Sequence, residues 1–519
     1  MQGVQRLAHL IPDLTAANAR DYSFRLVLQA LERRSIPSFA VPGMSDRSSV
    51  LAVHEKDRAN VEQAVRDLLK DQKAYCQVVL PRPATRQAIY AHDAGPLATV
   101  LDIAKVLRVF VYQCEPSRNF VTGPSFGCDI EFWTDEDGRL TSPRANRVAR
   151  TVSSPTDGAL LGRDRFTGFH SCLDAPRDIP SLAEYDFDRI DSITFPIDVV
   201  YTWVDGSDPE WARRRSLVSS AAYHAEADSQ ARFISHNELR YSLRSLHMFA
   251  PWVRRVFIVT DDQAPSWLQP NHQKIKIVSH REIFRDPSVL PTYNSHAIES
   301  QLHHIPNLAE HFLYFNDDMF LGRAVPPHLF FTPAGISKFF LSQSRVPIGP
   351  VETSDTPVDA AHKNNRRLLF EKYGRTITQT LQHVPYALRC DVLSSLEQEF
   401  AEEHVATAAT RFRSTTDLSV TSSLAHFYAY FQGRALPASL KYSYIQLAVP
   451  DLALRLDRLL YQRDRDAFCL NDAYSTTADI EVQETILEPF LQSYFPVAAP
   501  WEKDDRGRRS SQAAWSWGA

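Results

Sequence analysis

Nowhere in the 519 residues do eighteen apolar side chains follow one another, so no segment reads as a membrane-spanning helix. The opening stretch MQGVQRLAHLIPDL also lacks the apolar core of a secretory leader. These absences predict a cytoplasmic protein whose contact with the membrane, if any, is peripheral and at its inner face. Six cysteines, at positions 76, 114, 128, 172, 390 and 469, show no Cys-x-x-Cys spacing, which argues against structural zinc and fits reduced, buried thiols. Positive charge is not in excess: the formal net charge is −5, so no overall basic field marks a nucleic-acid partner. Phosphate-loop, Gly-x-Gly-x-x-Gly and His-Glu-x-x-His spacings are missing too, which disfavours kinases, dehydrogenases and zinc hydrolases.

What is present describes a globular protein, with 44% hydrophobic and 23% charged residues. Its length exceeds one ordinary core and predicts two or three domains. Residues 1–185 read as a separate α+β region of unknown role. In it, DYSFRLVLQALERRSI (21–36) reads as a helix, and SVLAVHEKDRANVEQAVRDLL followed by AYCQVVL reads as strand, helix, strand. VLRVFVYQ and CDIEFWTDEDGRL read as strands, the second turning at Glu136-Asp137-Gly138. Residues 141–195, rich in Ser, Pro, Arg and Asp, read as a linker or surface excursion.

From 196 the pattern changes to strands alternating with helices. IDVVYTWVDG stops at Asp205-Gly206, RRVFIVTDD at Asp261-Asp262, and FLYFNDD at Asp317-Asp318. Between the first two lies SHNELRYSLRSLHMFAP, with Ser235 as expected N-cap and Glu238 completing a capping box. NSHAIESQLHHIP reads as a second helix, capped by Asn294 or Ser295. Such alternation implies a mostly parallel, helix-covered sheet, and ligands bind such sheets at the carboxyl ends of the strands. Asp205, Asp261, Asp262, Asp317 and Asp318 should then gather along one rim. Residues 336–500 read as mainly helical, and the stretch 504–519 as a disordered tail.

A rim of carboxylates suits a divalent cation that grips a diphosphate, because magnesium prefers hard oxygen ligands shared with substrate phosphate. The bland alternative is that Asn316 to Asp318 cap a turn, and that Asp205-Gly206 is a turn dipeptide whose glycine takes positive φ. A diphosphate site also needs cations, and guanidinium groups bind phosphate oxygens in bidentate fashion.

The strings IDVVYTWVDGSDPEW, ARFISHNELRYSLRSLHMFAPWVRRVFIVTDDQAPSWL, LPTYNSHAIESQLHHIPNLAEHFLYFNDDMFLG and FCLNDAY resemble, in order and separation, the four conserved regions of the Stealth family. That family includes bacterial capsular polysaccharide phosphotransferases and the animal lysosomal-enzyme N-acetylglucosamine-phosphotransferase. The resemblance covers 196–503 and implies a Rossmann-like, glycosyltransferase-A-type α/β fold with a helical C-terminal part. It implies transfer of a sugar-1-phosphate from a nucleotide diphosphate sugar to a hydroxyl of an acceptor glycan, with release of nucleoside monophosphate. The alternative on the same fold is a metal-dependent glycosyltransferase that moves the sugar itself; a non-catalytic polysaccharide-binding module is the third reading. Carried over by motif, Asp205, His383, Arg413 and Arg240 are the catalytic candidates, with Asp205 and His383 both open as the base. Gly206, Asn237, Glu238, Asp261 and Asp472 are the substrate-binding candidates. Asp317, Asp318 and Asn471 are the candidates for holding Mg²⁺ or Mn²⁺. Sugar, nucleotide, acceptor and oligomeric state are not read from the sequence.

Overall fold

The computed structural model describes residues 6–79, 104–154, 157–171, 177–218, 235–472 and 476–503. The tail expected at 504–519 lies outside them. Two compact units emerge: residues 1–192 with 248–252, and residues 193–247 with 253–519.

In the first unit, Ser49–His54 pairs in parallel with Cys128–Glu136, and Val106–Phe110 pairs antiparallel to the latter. Helices Ala16–Arg33 and Arg58–Asp71 present Val27, Leu31, Val61, Val65 and Leu68 to this sheet, forming one core with Leu51, Val53 and Ile130. The hairpin after Glu136 turns through Asp137 and Gly138, both at positive φ. The linker expectation for 141–195 fails. Thr151–Ser153 extends the hairpin, and Gly158–Leu161 pairs antiparallel to Ile179–Leu182. Leu161, Ile179, Leu182 and Tyr185 belong to the core. Polar composition misleads here because some of that polarity serves the interior: Arg144 lies 2.6 Å from Asp129 and 2.6 Å from Glu131, two almost fully buried acids.

The second unit is built on a five-stranded sheet. Its strands are β1 (Ile197–Thr202), β2 (Val253–Thr260), β3 (Ile275–Ser279), β4 (His311–Asn316) and, as the fifth, Tyr386–Arg389. The spatial order is β3-β2-β1-β4 and then Tyr386–Arg389; the first four are parallel, and the fifth is antiparallel to β4. Alternation of β-branched and aromatic residues on two buried faces explains the near-continuous apolar runs of β1, β2 and β4. Register places Thr202 opposite both Val259 and Asn316, so these three strands end nearly level.

A smaller sheet follows directly from β4. Strand β5 (Met319–Leu321) pairs antiparallel to β7 (Ala467–Asn471), which pairs in parallel with β6 (Tyr442–Gln446). Helices make up most of the regular structure in 336–500, as expected, and strands at 337–345, 379–381, 386–389, 435–438, 442–446 and 467–471 interleave with them. Short apolar runs such as YALR and AFCLN carry no period long enough to tell strand from helix.

Helix α1 (Glu238–Phe249) starts two residues later than a Ser235 cap requires. Asn237 sits at φ 64°, a left-handed conformation that asparagine tolerates, and breaks the helix there. Ser235 Oγ instead accepts the Asn237 N–H at 3.2 Å, while Glu238 Oε2 accepts the His236 N–H at 2.7 Å. No described helix is long and apolar enough to cross a membrane.

The C-terminal part of this unit is tied to α1 by one buried acid. Glu502, 5% exposed, receives Arg244 Nε at 2.7 Å, Arg244 Nη2 at 2.8 Å and Arg240 Nε at 2.6 Å. Burial alone would raise its carboxyl, but the Arg244 hydrogen bond and charge hold it below the ordinary glutamate range. Glu502→Gln leaves a buried guanidinium without its counter-charge, so urea denaturation should show a loss of about 3–5 kcal/mol at neutral pH. The depressed pKa fixes the sign of the pH dependence. This stabilisation is complete above the ordinary glutamate range and fades as pH falls through the folded-state value. The wild-type and Glu502→Gln curves should therefore converge in acid.

Candidate active site

Strand β4 buries Phe312, Leu313, Tyr314 and Phe315 and then releases the chain at Asn316, so Asp317 and Asp318 form the tight turn into β5. Antiparallel pairing of β5 with β7 sets Met319 opposite Cys469, and the Leu470 N–H donates to the Asp318 carbonyl at 3.1 Å. That register brings Asp318 to the end of β7. Cys469 Sγ donates to Asp318 Oδ2 at 3.2 Å and Asn471 Nδ2 lies 3.4 Å from the same oxygen. From the segment before the antiparallel edge strand, His383 brings Nε2 to 3.4 Å from Asp318 Oδ1. Its Nδ1 is 3.3 Å from the Tyr386 hydroxyl.

The two neighbouring acids are driven in opposite directions. Burial, followed by the charges of Glu238 and Asp318, pushes the Asp317 carboxyl well above its ordinary range. Burial acts on Asp318 as well, but the His383 charge and hydrogen bond, with Cys469 and Asn471, outweigh it and hold that carboxyl low. Glu238 is pushed up to about 7, first by burial and then against its hydrogen bonds with help from the Asp318 charge. Burial opposes protonation of His383, yet the Asp318 charge and hydrogen bond prevail and raise its pKa. The Cys469 thiol, buried beside Asp318, is pushed up and stays protonated.

Two cavities open on this rim. One, of about 160 Å³, is lined by Trp203, Trp211, Tyr293, Asp261, Asp317 and Arg413, among others. The second, of about 510 Å³, is mostly polar and includes Glu299, Asn316, His383, Asn471, Asp472 and Arg413. Arg413 lines both, and its Nη2 donates to Ser295 Oγ at 2.7 Å at the start of helix α2 (Ser295–Ser300).

Family models for the four Stealth conserved regions match the chain: region 1 over 195–222, region 2 over 232–339, region 3 over 382–430 and region 4 over 457–513. An exopolysaccharide phosphotransferase of Streptomyces coelicolor is 47% identical over 499 residues, covering 95% of this chain and 92% of that one. The chain belongs to the Stealth family. A further relative, the exopolysaccharide phosphotransferase CpsY of Mycobacterium tuberculosis, is 37% identical over 505 residues, covering 96% of this chain and 91% of that one. Among solved structures, the galactosyltransferase LgtC aligns at 10% identity and TM-score 0.30, over 58% of this chain and 96% of that one, a likeness too weak to carry an argument.

Within this Stealth chain the structure brings Asp317, Asp318, Asn471, His383, Glu238 and Arg413 to one place, with Asp472 lining the larger cavity and Asp261 the smaller. Asp261 is paired with Arg214 Nη2 at 2.7 Å. Asp205 lines neither cavity; its Oδ1 accepts the Ser207 N–H at 2.9 Å and the Ser207 hydroxyl at 2.6 Å. Gly206 is not among the positive-φ residues, yet Gly206 and Ser207 form a turn closed by the Asp208 N–H on the Asp205 carbonyl at 3.3 Å, so the turn reading stands without the φ it invoked. Asn237 lines neither cavity and shapes the entry into α1. Arg240 lines neither cavity, and its Nε donates to buried Glu502 at 2.6 Å.

Sequence reading missed Glu299, Tyr386, Cys469 and Asp417. Glu299 follows His296 by three residues on α2, so a helical face was the available signal. For Cys469 there was none, because only the β5–β7 register places it beside Asp318.

The donors fit a hard divalent cation. Asn316 Oδ1 is buried without a hydrogen-bond partner, Asp318 Oδ1 has His383 Nε2 at 3.4 Å, and three acids crowd one another. Cys469 and His383 also converge on Asp318, with Cys469 Sγ donating to Asp318 Oδ2 at 3.2 Å. A second convergence, of His303, His304 and Glu397, is closed by the chain itself: Arg285 Nε lies 3.1 Å from Glu397 and 3.1 Å from His304.

Mg²⁺ or Mn²⁺ at about 100 times its Kd should stabilise the second unit by about 2.7 kcal/mol, read as a rise in melting temperature. Asp317→Asn and Asp318→Asn should each abolish that rise. Asp261→Asn, whose carboxylate already has Arg214, should keep it.

Proposed function

We propose that this chain transfers a sugar-1-phosphate from a nucleotide diphosphate sugar to a hydroxyl of an acceptor glycan in exopolysaccharide synthesis. Its similarity to exopolysaccharide phosphotransferases supports the reaction class. The observation that carries the reading is the placement of Arg413 on the boundary of two unlike cavities, beside a cluster of acids. The smaller cavity, with Trp203, Trp211 and Tyr293, has the aromatic faces that a nucleoside stacks on. The larger one is lined by hydroxyl, amide and charged groups suited to sugar hydroxyls. A diphosphate that joins nucleoside to sugar would cross from one to the other past Arg413 and Asp317.

The acceptor oxygen attacks the β-phosphorus, a new P–O bond forms, and the bond from that phosphorus to the bridging oxygen breaks. Nucleoside monophosphate leaves. Such a step depends on positioning and charge neutralisation. A magnesium or manganese ion held by Asp317 and Asp318, with Asn471, would neutralise charge on the diphosphate. Arg413 steadies the transferred phosphoryl group by guanidinium hydrogen bonds. His383 is the base, acting in its neutral form and so favoured as pH rises through its raised pKa: it lines the larger cavity, whereas the Asp205 carboxylate lines neither cavity and holds Ser207. Peripheral attachment to a membrane belongs to this reading only as the place where a growing glycan would be met.

A screen of nucleotide sugars with magnesium and oligosaccharide acceptors tests the proposal. Nucleoside monophosphate should be released in step with a new phosphodiester. Release of nucleoside diphosphate instead would overturn it in favour of sugar transfer. On the active donor, His383→Asn should lower kcat by about 10²–10⁴-fold, the usual contribution of a general base, while Asp205→Asn should cost about tenfold or less.

A further inference from the structure

Resting on the function proposed above, we infer that Asp417 is the positioning residue that fixes Arg413 for phosphoryl transfer. Asp417 is fully buried, and it lies in a polar loop four residues from Arg413. Its Oδ2 accepts the Asn294 side-chain amide at 2.8 Å and the Ser414 backbone N–H at 2.9 Å, and it lies 3.3 Å from His296 Nδ1. Its Oδ1 lies 2.9 Å from the Thr410 hydroxyl.

These partners come from both sides of Arg413. Ser414 and Thr410 belong to the loop that carries the arginine. Asn294 is the N-cap of α2, its own oxygen accepting the His296 N–H at 3.0 Å. Between Asn294 and His296 stands Ser295, whose hydroxyl receives Arg413 Nη2 at 2.7 Å and lies 3.3 Å from Nε. One carboxylate therefore fastens the backbone that delivers the guanidinium to the helix start that receives it. The Tyr293 N–H donating to the Arg411 carbonyl at 2.7 Å, and Tyr293 stacking on Phe412 at 5.5 Å, join the same two segments. A buried carboxylate serving only the fold would have no reason to meet both the loop and the cap that flank a cavity-lining arginine. Its burial is tolerable because its oxygens are engaged by donors.

Chemistry favours an acid here. A carboxylate accepts at both oxygens through charge-assisted bonds, whereas a carboxamide keeps one oxygen for the Asn294 amide and the Ser414 N–H, loses the charge, and turns an NH₂ to the Thr410 hydroxyl. Asp417→Asn thus keeps the volume and weakens the fastening. A guanidinium displaced by about 1 Å costs about 10²-fold in rate.

The test is a double-mutant cycle between Asp417→Asn and Arg413→Ala, with two readouts. Nucleoside monophosphate release should fall about 10–100-fold in kcat for Asp417→Asn, with donor KM changed far less. The double variant should be no slower than Arg413→Ala alone. Affinity for magnesium pyrophosphate, measured by calorimetry, needs no turnover and should show the same non-additivity. Should Asp417→Asn not fold, Thr410→Val removes the donor to Oδ1 together with a hydroxyl that accepts the Asn294 amide at 2.7 Å, and should give a smaller effect that likewise vanishes beside Arg413→Ala. Additive losses in either readout, or wild-type kcat and pyrophosphate affinity in Asp417→Asn, would overturn the inference. Absence of monophosphate release by the wild type would count against the proposed function alone, and the pyrophosphate cycle would still decide on Asp417.

Discussion

Two carboxylates in adjacent positions at the end of a buried strand set the terms for the surrounding structure. Asp317 and Asp318 follow five residues of β4 that are almost wholly buried, and Glu238 adds a third acid within electrostatic reach. Like charges so close repel strongly in a medium that screens poorly. A fold that keeps them must supply donors, cations or protons. The structure supplies three donors to Asp318 from two segments far apart in sequence: His383 from one, Cys469 and Asn471 from the other. The small sheet of β5, β7 and β6 exists in register with that need, because pairing Met319 with Cys469 delivers two of the three.

The supports lie further out. Arg413 reaches the rim from a loop fastened to the start of α2, and α1, which carries Glu238, is fixed from behind by Arg240 and Arg244 on Glu502. These are buried charges met by partners of opposite sign, and removing one partner costs more than the pair contributes. Rigidity at the rim thus comes from polar contacts of long sequence separation, laid over a parallel sheet whose strands end level. Level strand ends give a broad shelf on which distant residues can meet.

Much of this was legible because periodic patterns survive in sequence. The alternation from 196 onward, ending three times on aspartate, located the rim, and the order of the conserved strings located the family. What escaped had no local signature. Cys469 looks like any buried thiol until the register is known. Asp417 looks like a turn residue in STTD until its oxygens are traced to Asn294 and Thr410. Arg240 reads as a phosphate ligand by its motif, yet the acid that engages it lies 262 residues away. The stretch 141–195 was misjudged for a related reason: composition reports how polar a segment is, not whether its arginines face water or a buried Asp129.

The two acids are then not equivalent, and the turn explains why. Asp318 leads into β5 and is held by β7 and His383, so its charge is compensated within the protein and its pKa lies low. Asp317, one residue earlier, lines the smaller cavity and has Glu238 and Asp318 as its charged neighbours, so its ionisation is resisted. A positive charge arriving at the rim meets a carboxylate already ionised at Asp318 and reverses the balance at Asp317. The repulsion between neighbours therefore has a use. Asp318 supplies a fixed negative charge, and that same charge keeps Asp317 responsive to what enters the cavity.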